Sequence, residues 1–426
     1  MRIGLSFLGL SRYQVAAYYW KDKDYGVLKT NLFPETLPAF FSVTELIVFV
    51  TKEAKGHEHC RQLKENLGDT VKMVEIPSGK KEEELWEIFD IVAKQVPPNS
   101  TIIMDITHAF RSLPMVIYNV ALYLRRIKNI KIERIIYGNW EARDKSYSPP
   151  LTPIFDLTPT LDLQDWLHGI DYFQRRGDAE ELANSLSRTQ GRLYQTRDSG
   201  KAKLPRKLVN MARGLNNFSE ALRLLRPLAT FQTTTTVCNL LESAEDEVIL
   251  WAKPFADILQ DLNKELSPLV APEPTNLSRD NLRTQLKLVH YYLDKDLVVQ
   301  AVLLAREWLV SCLMLLTDRE LDWRDRKARV RAERELGRVY RYHRKENDYK
   351  LRGKLHSGVV TLLGKCKLPS WYRDIPQAST IRDIWDNLSK LRNDVAHCAM
   401  NTDAISPEKI RSKIRALIPD MEALLI

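Results

Sequence analysis

An α/β domain with a mostly parallel, doubly wound sheet, followed by a larger all-helical part, is the fold class this sequence predicts. Up to about residue 160, short Ile- and Val-rich runs alternate with amphipathic stretches; beyond it only a helical period remains. Apolar runs buried on both faces and separated by helices belong to parallel sheets, whose crossovers lay helices on each side. The chain of 426 residues also exceeds what one hydrophobic core usually organises.

The strands are expected at IGLSFLG (3–9), ELIVFVT (45–51), VKMVEI (71–76), TIIMDIT (101–107) and IERIIYG (132–138), with a candidate hairpin in 17–32. Helical periods fill 57–67, 81–95 and 111–127; Pro97 and Pro98 stop the second. SPPLTPIFDLTPTLDL (148–163), crowded with prolines, closes this part. Helix-period sequence follows at 179–194, 237–266 and 282–317 and from 378 onward, with SPLVAPEPTNLS (267–278) as a connector. The expected division is 1–165, 166–281 and 282–426.

With 44% hydrophobic and 28% charged residues, the composition is that of a globular chain, not a disordered or fibrous one. The N-terminal apolar stretch is too short for a signal peptide, and no run approaches the ~18 apolar residues of a membrane span. Cys60, Cys238, Cys312, Cys366 and Cys398 lie far apart, which argues against a zinc cage and a disulfide framework and fits a reducing cytoplasm. Net charge is +9, and residues 318–354 hold 14 Lys/Arg against 8 Asp/Glu, interleaved with Trp323, Tyr340, Tyr342 and Tyr349. That stretch fits a phosphate-tracking surface. It fits equally a solvated helix laced by pairs such as Glu333 with Arg329.

Ligands of open parallel sheets bind outside the carboxyl ends of the strands, where strand order reverses. FLGLSRY (7–13) and DITHAFRSLP (105–114) belong at that edge, and they supply hydroxyls, backbone N–H groups and guanidiniums. Such groups make an anion site, with phosphate the commonest occupant. Neither GxGxxG nor GxxxxGK[ST] occurs, which disfavours the usual nucleotide cofactors. The competing reading has Thr107 and His108 capping the next helix and Asp105 closing a turn.

At the other end, RNDVAH (392–397) and RVYRYH (338–343) are two matches to one short pattern, arginine and histidine five apart. The first continues a helix whose buried stripe is expected to be Ile381, Ile384, Trp385, Leu388, Leu391 and Val395; the second is charged on all sides. Five residues turn an α-helix by about 140°, so Arg392 and His397 share no narrow face of a regular helix, whereas Asn393 and His397 do. Either the helix ends near Ala396, letting His397 turn, or a second subunit completes the site.

DITHAFRSLP closely resembles the Asp-x-Thr-His-Gly-Phe-Arg-Ser-Leu-Pro signature of the CRISPR-associated Rossmann fold (CARF) proteins of type III CRISPR systems. SFLGLSRY (6–13), FVTKEA (49–54), IYGNWEARD (136–144) and PIFDLTPTLDLQDW (153–166) resemble the family's companion segments in the same order. The resemblance covers roughly residues 1–166. It implies a homodimeric sensor, or a higher oligomer, that binds a cyclic oligoadenylate, most often the tetra-adenylate, as activator. It would place Leu8, Gly9, Leu10, Ser11 and Arg12 of the first loop, and Thr107, His108, Ala109, Phe110 and Arg111 of the second, against that ligand. Ala109 departs from the family's glycine, and LGLS lacks the second glycine its first loop often carries.

Sensors of this group are commonly fused to a HEPN ribonuclease domain, whose signature of arginine, four to six residues and histidine RNDVAH resembles. The resemblance implies a HEPN domain in 282–426 and a catalytic set of Arg392, Asn393 and His397, without metal or other catalytic cofactor. His397 would move the proton. Arg392 would hold the phosphate, and Asn393 would orient one or the other. Attack by the substrate's own 2′-hydroxyl leaves a 2′,3′-cyclic phosphate and a free 5′-hydroxyl. LLAREWLVSCL (303–313) is similar to the first core helix of HEPN domains, which makes Arg306 or Glu307 a candidate contributor; packing on the helix surface is the simpler role. His168, His290 and His356 are read as structural.

The expected function is therefore a cyclic-oligoadenylate-activated endoribonuclease acting on single-stranded RNA in antiviral defence, cytoplasmic and without a membrane partner. The alternative is a nucleotide-responsive regulator that grips nucleic acid through 318–354 without cutting it.

Overall fold

A computed structural model describes the chain except for residues 22–25, 110–111, 196–205, 252, 318–321, 352–367 and 401. Two compact units divide it, Met1–Gln164 and Asp165–Ile426.

The first unit is built on an eight-stranded sheet: β1 (Arg2–Leu8), β2 (Ala16–Trp20), β3 (Val27–Thr30), β4 (Glu45–Thr51), β5 (Val71–Ile76), β6 (Thr101–Asp105), β7 (Lys131–Gly138) and β8 (Leu151–Asp156). Its helices are α1 (Thr36–Phe41), α2 (Lys52–Lys55), α3 (Glu58–Leu67), α4 (Glu82–Gln95) and α5 (Leu113–Ile127). The order is β3-β2-β8-β7-β6-β1-β4-β5, and β5, β4, β1, β6 and β7 run parallel. Side chains alternate between two cores, as the period of a strand requires. Ile3, Leu5, Phe7, Ile47, Phe49, Ile102 and Met104 meet Ile88 and Val92 of α4 and Ile117, Val120 and Leu124 of α5. Leu8, Leu46, Val48, Val50 and Ile103 face the other way, toward Leu37, Phe41, Cys60 and Leu63. Helices on both faces and a first strand flanked by the second and fourth parallel strands make the doubly wound arrangement, with its switch point between β1 and β6.

The hairpin expected in 17–32 is present as antiparallel β2 and β3. Strand β8 lies within the stretch whose prolines hide its strand pattern. It pairs parallel with β2, Pro153 opposite Tyr19, and antiparallel with β7. Proline takes only the donor away; the Pro153 carbonyl still accepts the Asn139 N–H at 2.9 Å.

The second unit is helical. Helix α6 (Pro159–Arg176) leads into it, followed by α7 (Glu180–Gln195), α8 (Leu208–Arg223), α9 (Pro227–Trp251), α10 (Lys253–Leu266), α11 (Arg279–Asp294), α12 (Val298–Leu316), α13 (Arg326–Leu351), α14 (Trp371–Asp374), α15 (Ala378–Ala396) and α16 (Pro407–Ala423). Helix α12 is, by length and composition, apolar enough to cross a membrane, but most of it is buried within the unit. It packs against α11, α13, α15 and α16. Gly169 of α6 and Gly177 just after it each stand where a Cβ would collide, with the Leu182 backbone at 2.8 Å and Leu222 at 2.5 Å.

Candidate functional sites

Strands β1 and β6 are parallel neighbours, so the loops after Leu8 and Asp105 leave the sheet side by side at its carboxyl edge. Asp105, fully buried, holds both loops. Its Oδ2 accepts the Ser6 hydroxyl of β1 at 2.5 Å, and its Oδ1 accepts the Thr107 N–H at 2.7 Å. Thr107 Oγ1 in turn accepts the Gly138 N–H at 2.8 Å, which ties the second loop to the end of β7. Only glycine fits at 138, because a Cβ would lie 2.3 Å from the Phe33 ring. Burial pushes the Asp105 carboxyl up to about 6, against the lowering effect of the Ser6 and Thr107 hydrogen bonds.

His108 stacks on Tyr13, ring centroids 3.9 Å apart and tilted by 32°, and meets the edge of Phe33 at 6.3 Å. Its Nε2 is sealed from solvent without a partner among the described residues. Burial, with a smaller contribution from His59, pushes the imidazole down to about 4, so the ring is neutral near pH 7. Tyr13 also accepts the Gly9 N–H on its hydroxyl at 2.9 Å. One side chain thereby braces the first loop and stacks on the second. Its ring lies 4.9 Å from that of His59.

Leu8 belongs to the core, so it can present only backbone to a ligand; Gly9 is half-buried, and Leu10, Ser11 and Arg12 are exposed. Thr107, His108 and Ala109 are half-buried, and Ala109 packs against the core. Phe110 and Arg111 lie outside the described residues, as do His356 and Cys366. Asp105 does close a turn. Thr107 and His108 cap no helix: the Thr107 hydroxyl goes to Gly138, and α5 begins only at Leu113. Sequence reasoning singled out neither Tyr13 nor the bracing role of Asp105. The four-residue spacing of Gly9 and Tyr13 was the available signal for the first.

Among the described residues, one group brings possible metal-ligating atoms together: His57, Glu58 and His59, within 4.8 Å of one another. They sit at the start of α3, where the helix dipole opposes a cation.

In the second unit α15 ends at Ala396, and His397 is its C-cap residue, its N–H donating to the Asn393 carbonyl at 3.0 Å. His397 and Asn393 are exposed and Arg392 is half-buried, with Arg392 Nη1 donating to Asn393 Oδ1 at 3.0 Å. Cys398 and Ala399 take left-handed φ values of 54° and 53° and turn the chain back. Asp394, buried, accepts the Ile405 N–H at 3.1 Å and pins the returning segment. The apolar stripe is as expected through Leu391, but Val395 is only half-buried while Asp394 points inward.

The other match is docked as well. Ala328, Ala332, Leu336 and Val339 bury one face of α13, so its sequence is not charged on all sides in space. Arg338 is exposed, whereas His343 is half-buried with its ring 5.4 Å from that of Tyr372. The expected Arg329–Glu333 pair is not made: Arg329 reaches Glu307 of α12 at 2.8 Å, and Glu333 pairs with Arg306. Arg306 lies 4.6 Å over the Trp385 ring and 3.2 Å from Glu307, a packing role. His168 is exposed, and His290 lies 3.5 Å from Glu422.

A doubly wound sheet with two braced loops at its switch point is the arrangement in which open α/β sheets bind their ligands. Residues 3–141 match the family model of the CARF domain of the CRISPR system endoribonuclease Csx1, and residues 162–269 match that of the second domain of CRISPR-associated protein MJ1674. By these matches the first unit is similar to the CARF domains, and the start of the second unit to the second domain, of CRISPR-associated proteins. CRISPR-associated protein MJ1674 of Methanocaldococcus jannaschii is 30% identical over 115 residues, 26% of this chain and 18% of that protein, so the match spans under a fifth of the relative's length. A solved structure of Enterococcus italicus Csm6 bound to cyclic hexa-2′-fluoro-hexa-dAMP superposes with a TM-score of 0.44 at 11% identity, covering 100% of this chain and 94% of that one.

Proposed function

We propose that this chain is a cyclic-oligoadenylate-activated endoribonuclease of CRISPR antiviral defence, cytoplasmic, cutting single-stranded RNA without a metal. The observation that carries the reading is the joining, in one chain, of a CARF domain to a helix that ends in Arg392, Asn393 and an exposed His397.

The N-terminal loops are suited to the activator. Ser11 and Arg12 offer a hydroxyl and a guanidinium to phosphate from an exposed loop. Neutral His108 offers an uncharged ring at the loop base, compatible with an adenine or with a phosphate hydrogen bond. A ring of alternating phosphates and bases with two-fold symmetry suits an isologous dimer, in which each copy contributes the same half-site.

At the C-terminal end, the 2′-hydroxyl of the substrate attacks the adjacent phosphorus. His397, exposed at a helix end, takes the proton or returns it to the leaving 5′-oxygen. Arg392 neutralises charge growing on the phosphoryl oxygens, and Asn393, already bonded to Arg392, orients the guanidinium. The products carry a 2′,3′-cyclic phosphate and a free 5′-hydroxyl. A second copy of the motif facing the first would supply acid and base together, which makes the homodimer part of the chemistry. Activator binding acts by shifting an equilibrium toward that paired state.

One gel tests the reading: labelled single-stranded RNA and DNA, each with and without cyclic tetra-adenylate, in EDTA, against wild type and His397→Ala. RNA alone is cut, more with activator, and not by the variant. Cleavage that needs magnesium, or RNA bound tightly and left intact, sinks it; the latter result makes the chain a nucleotide-responsive binding regulator.

A further inference from the structure

Helix α13 carries a line of cations on the face opposite its buried one. Lys327, Arg331, Arg334, Arg338 and Arg341 are all exposed. Their spacing of four, three, four and three residues keeps them on one narrow stripe, since each step returns to within about 60° of the last. The stripe rises about 21 Å along the axis. The opposite face, Ala328, Ala332, Leu336 and Val339, is the one that docks.

A merely solvated helix alternates signs along its exposed face, because like charges at this spacing repel. Here no acid stands on the stripe. Of the two acidic residues between Arg326 and Arg344, Glu333 turns to Arg306 of α12, and Glu335 stands at the stripe's flank, half-buried. Arg329, which lies off the stripe, is bonded to Glu307 of α12. Basic residues left in a row while the acids are drawn aside form a surface whose complement is a polyanion, and a row matches a chain of phosphates better than a compact anion does. Tyr342, half-buried, flanks the upper end and offers a face for a base.

We propose that this stripe is the docking track for the phosphates of single-stranded RNA. It rests on the ribonuclease reading only for the identity of the polymer. Helix α13 packs against α15, the helix that carries Arg392 and His397, so a strand held on the track is held by the same helical unit that would cut it. The track accepts phosphates without reading bases, so affinity depends on length and salt more than on sequence.

The test uses the full chain in a His397→Ala background, so that RNA stays intact, and follows binding of a labelled single strand as salt is raised. Arg331→Gln, Arg334→Gln and Arg338→Gln together remove three charges from exposed positions. The triple variant binds at least about tenfold more weakly at low salt, and its log–log salt slope is shallower by about 2, at ~0.7 per phosphate contact on a single strand. Lys287→Gln, Lys409→Gln and Lys413→Gln, three exposed cations elsewhere in the same unit, change neither. Matching thermal midpoints for both variants show that the fold is kept. Equal affinity and slope in stripe variant and parent overturn the assignment, as does tighter binding of duplex DNA than of single-stranded RNA. The two readings fail separately. Stripe-dependent binding by a wild-type chain that never cuts leaves the track standing and removes the nuclease; cutting with an unchanged KM in the stripe variant does the reverse.

Discussion

The two candidate sites are built to opposite standards. Around Asp105, elements from three strands are tied by hydrogen bonds of 2.5, 2.7 and 2.8 Å, with Asp105 and Ser6 buried and Thr107 half-buried. Around His397, one helix simply stops, and among the described residues the side-chain ties near the pair are the Arg392–Asn393 contact and the loop bond held by Asp394. A pocket that must recognise a ring benefits from being formed before the ring arrives. A nuclease that must stay silent until signalled benefits from the reverse, with reactive groups displayed yet incomplete in a single copy. On the proposed reading, the contrast teaches that recognition is built into one chain, while catalysis waits for assembly.

The largest effect expected from that contrast is its cleanest break. His397→Ala abolishes RNA cleavage by about 10²–10⁴-fold, the usual worth of a positioned acid–base group. Affinity for the cyclic ligand stays at the wild-type value, measured by calorimetry. A fall in ligand affinity of the same size would mean that the two sites are not separately built.

Next in size is a pH effect confined to the N-terminal unit, where two buried groups are displaced in opposite directions. Asp105, raised to about 6 from the ordinary 3.8, binds a proton in the native state before the unfolded chain does, so its penalty is relieved as pH falls from about 6 toward 4. His108, lowered from 6.5 to about 4, does the opposite: the unfolded chain takes the proton first, and stability is lost as pH falls through the same window. Each displacement is worth about 3 kcal/mol at 1.36 kcal/mol per unit, so the two nearly cancel. Asp105→Asn leaves the His108 branch uncompensated, and its thermal midpoint falls steeply between pH 6 and 4, whereas wild type stays nearly flat there. A flat profile in the variant would show that His108 is not held neutral by burial.

Much of this was readable from residues. The five parallel strands, the hairpin and the switch-point loops follow from Ile/Val runs and from the rule that places ligands at the carboxyl edge. Strand β8 did not, because Pro149, Pro150 and Pro153 carry the composition of a linker, and only pairing with β2 and β7 on both sides shows that the missing donor at Pro153 is tolerated. At the C-terminal pair, periodicity gave the buried stripe but not the inward turn of Asp394, whose partner Ile405 is distant in sequence. In α13 the charges were visible but their sorting was not. Arg329 and Glu333 are four apart and read as partners, yet each finds a different residue on α12, because a packed neighbour offers a less exposed site than the helix's own surface.

A smaller effect sharpens the claim that the N-terminal site is rigid. Gly138→Ala sets a Cβ against the Phe33 ring, which must move for it to fit. The expected cost is about 1–3 kcal/mol, the range for overpacking. It falls on the first unit alone, seen as a lowered first transition in calorimetry, and ligand affinity drops because Thr107 loses its anchor on the Gly138 N–H. Unchanged affinity would show that the second loop holds its shape without β7.

The smallest effect tests the other side of the contrast, whether the sparse C-terminal site recruits Arg306. Arg306 lies over Trp385, two turns before Arg392 on the same helix, which is about 10 Å along the axis. A guanidinium covers an indole face and reaches two carboxylates at once, and a lysine in its place keeps the charge but not the plane. Arg306→Lys therefore costs about 1 kcal/mol of stability in the second unit, the worth of a partly covered cation–π contact. RNA cleavage at saturating activator stays within about twofold of wild type. Should cleavage collapse while the unfolding curve is unmoved, Arg306 reaches the substrate after all. The displayed end of α15 would then be one part of a site that spreads back along the helix, closer in kind to the braced pocket at the other end of the chain.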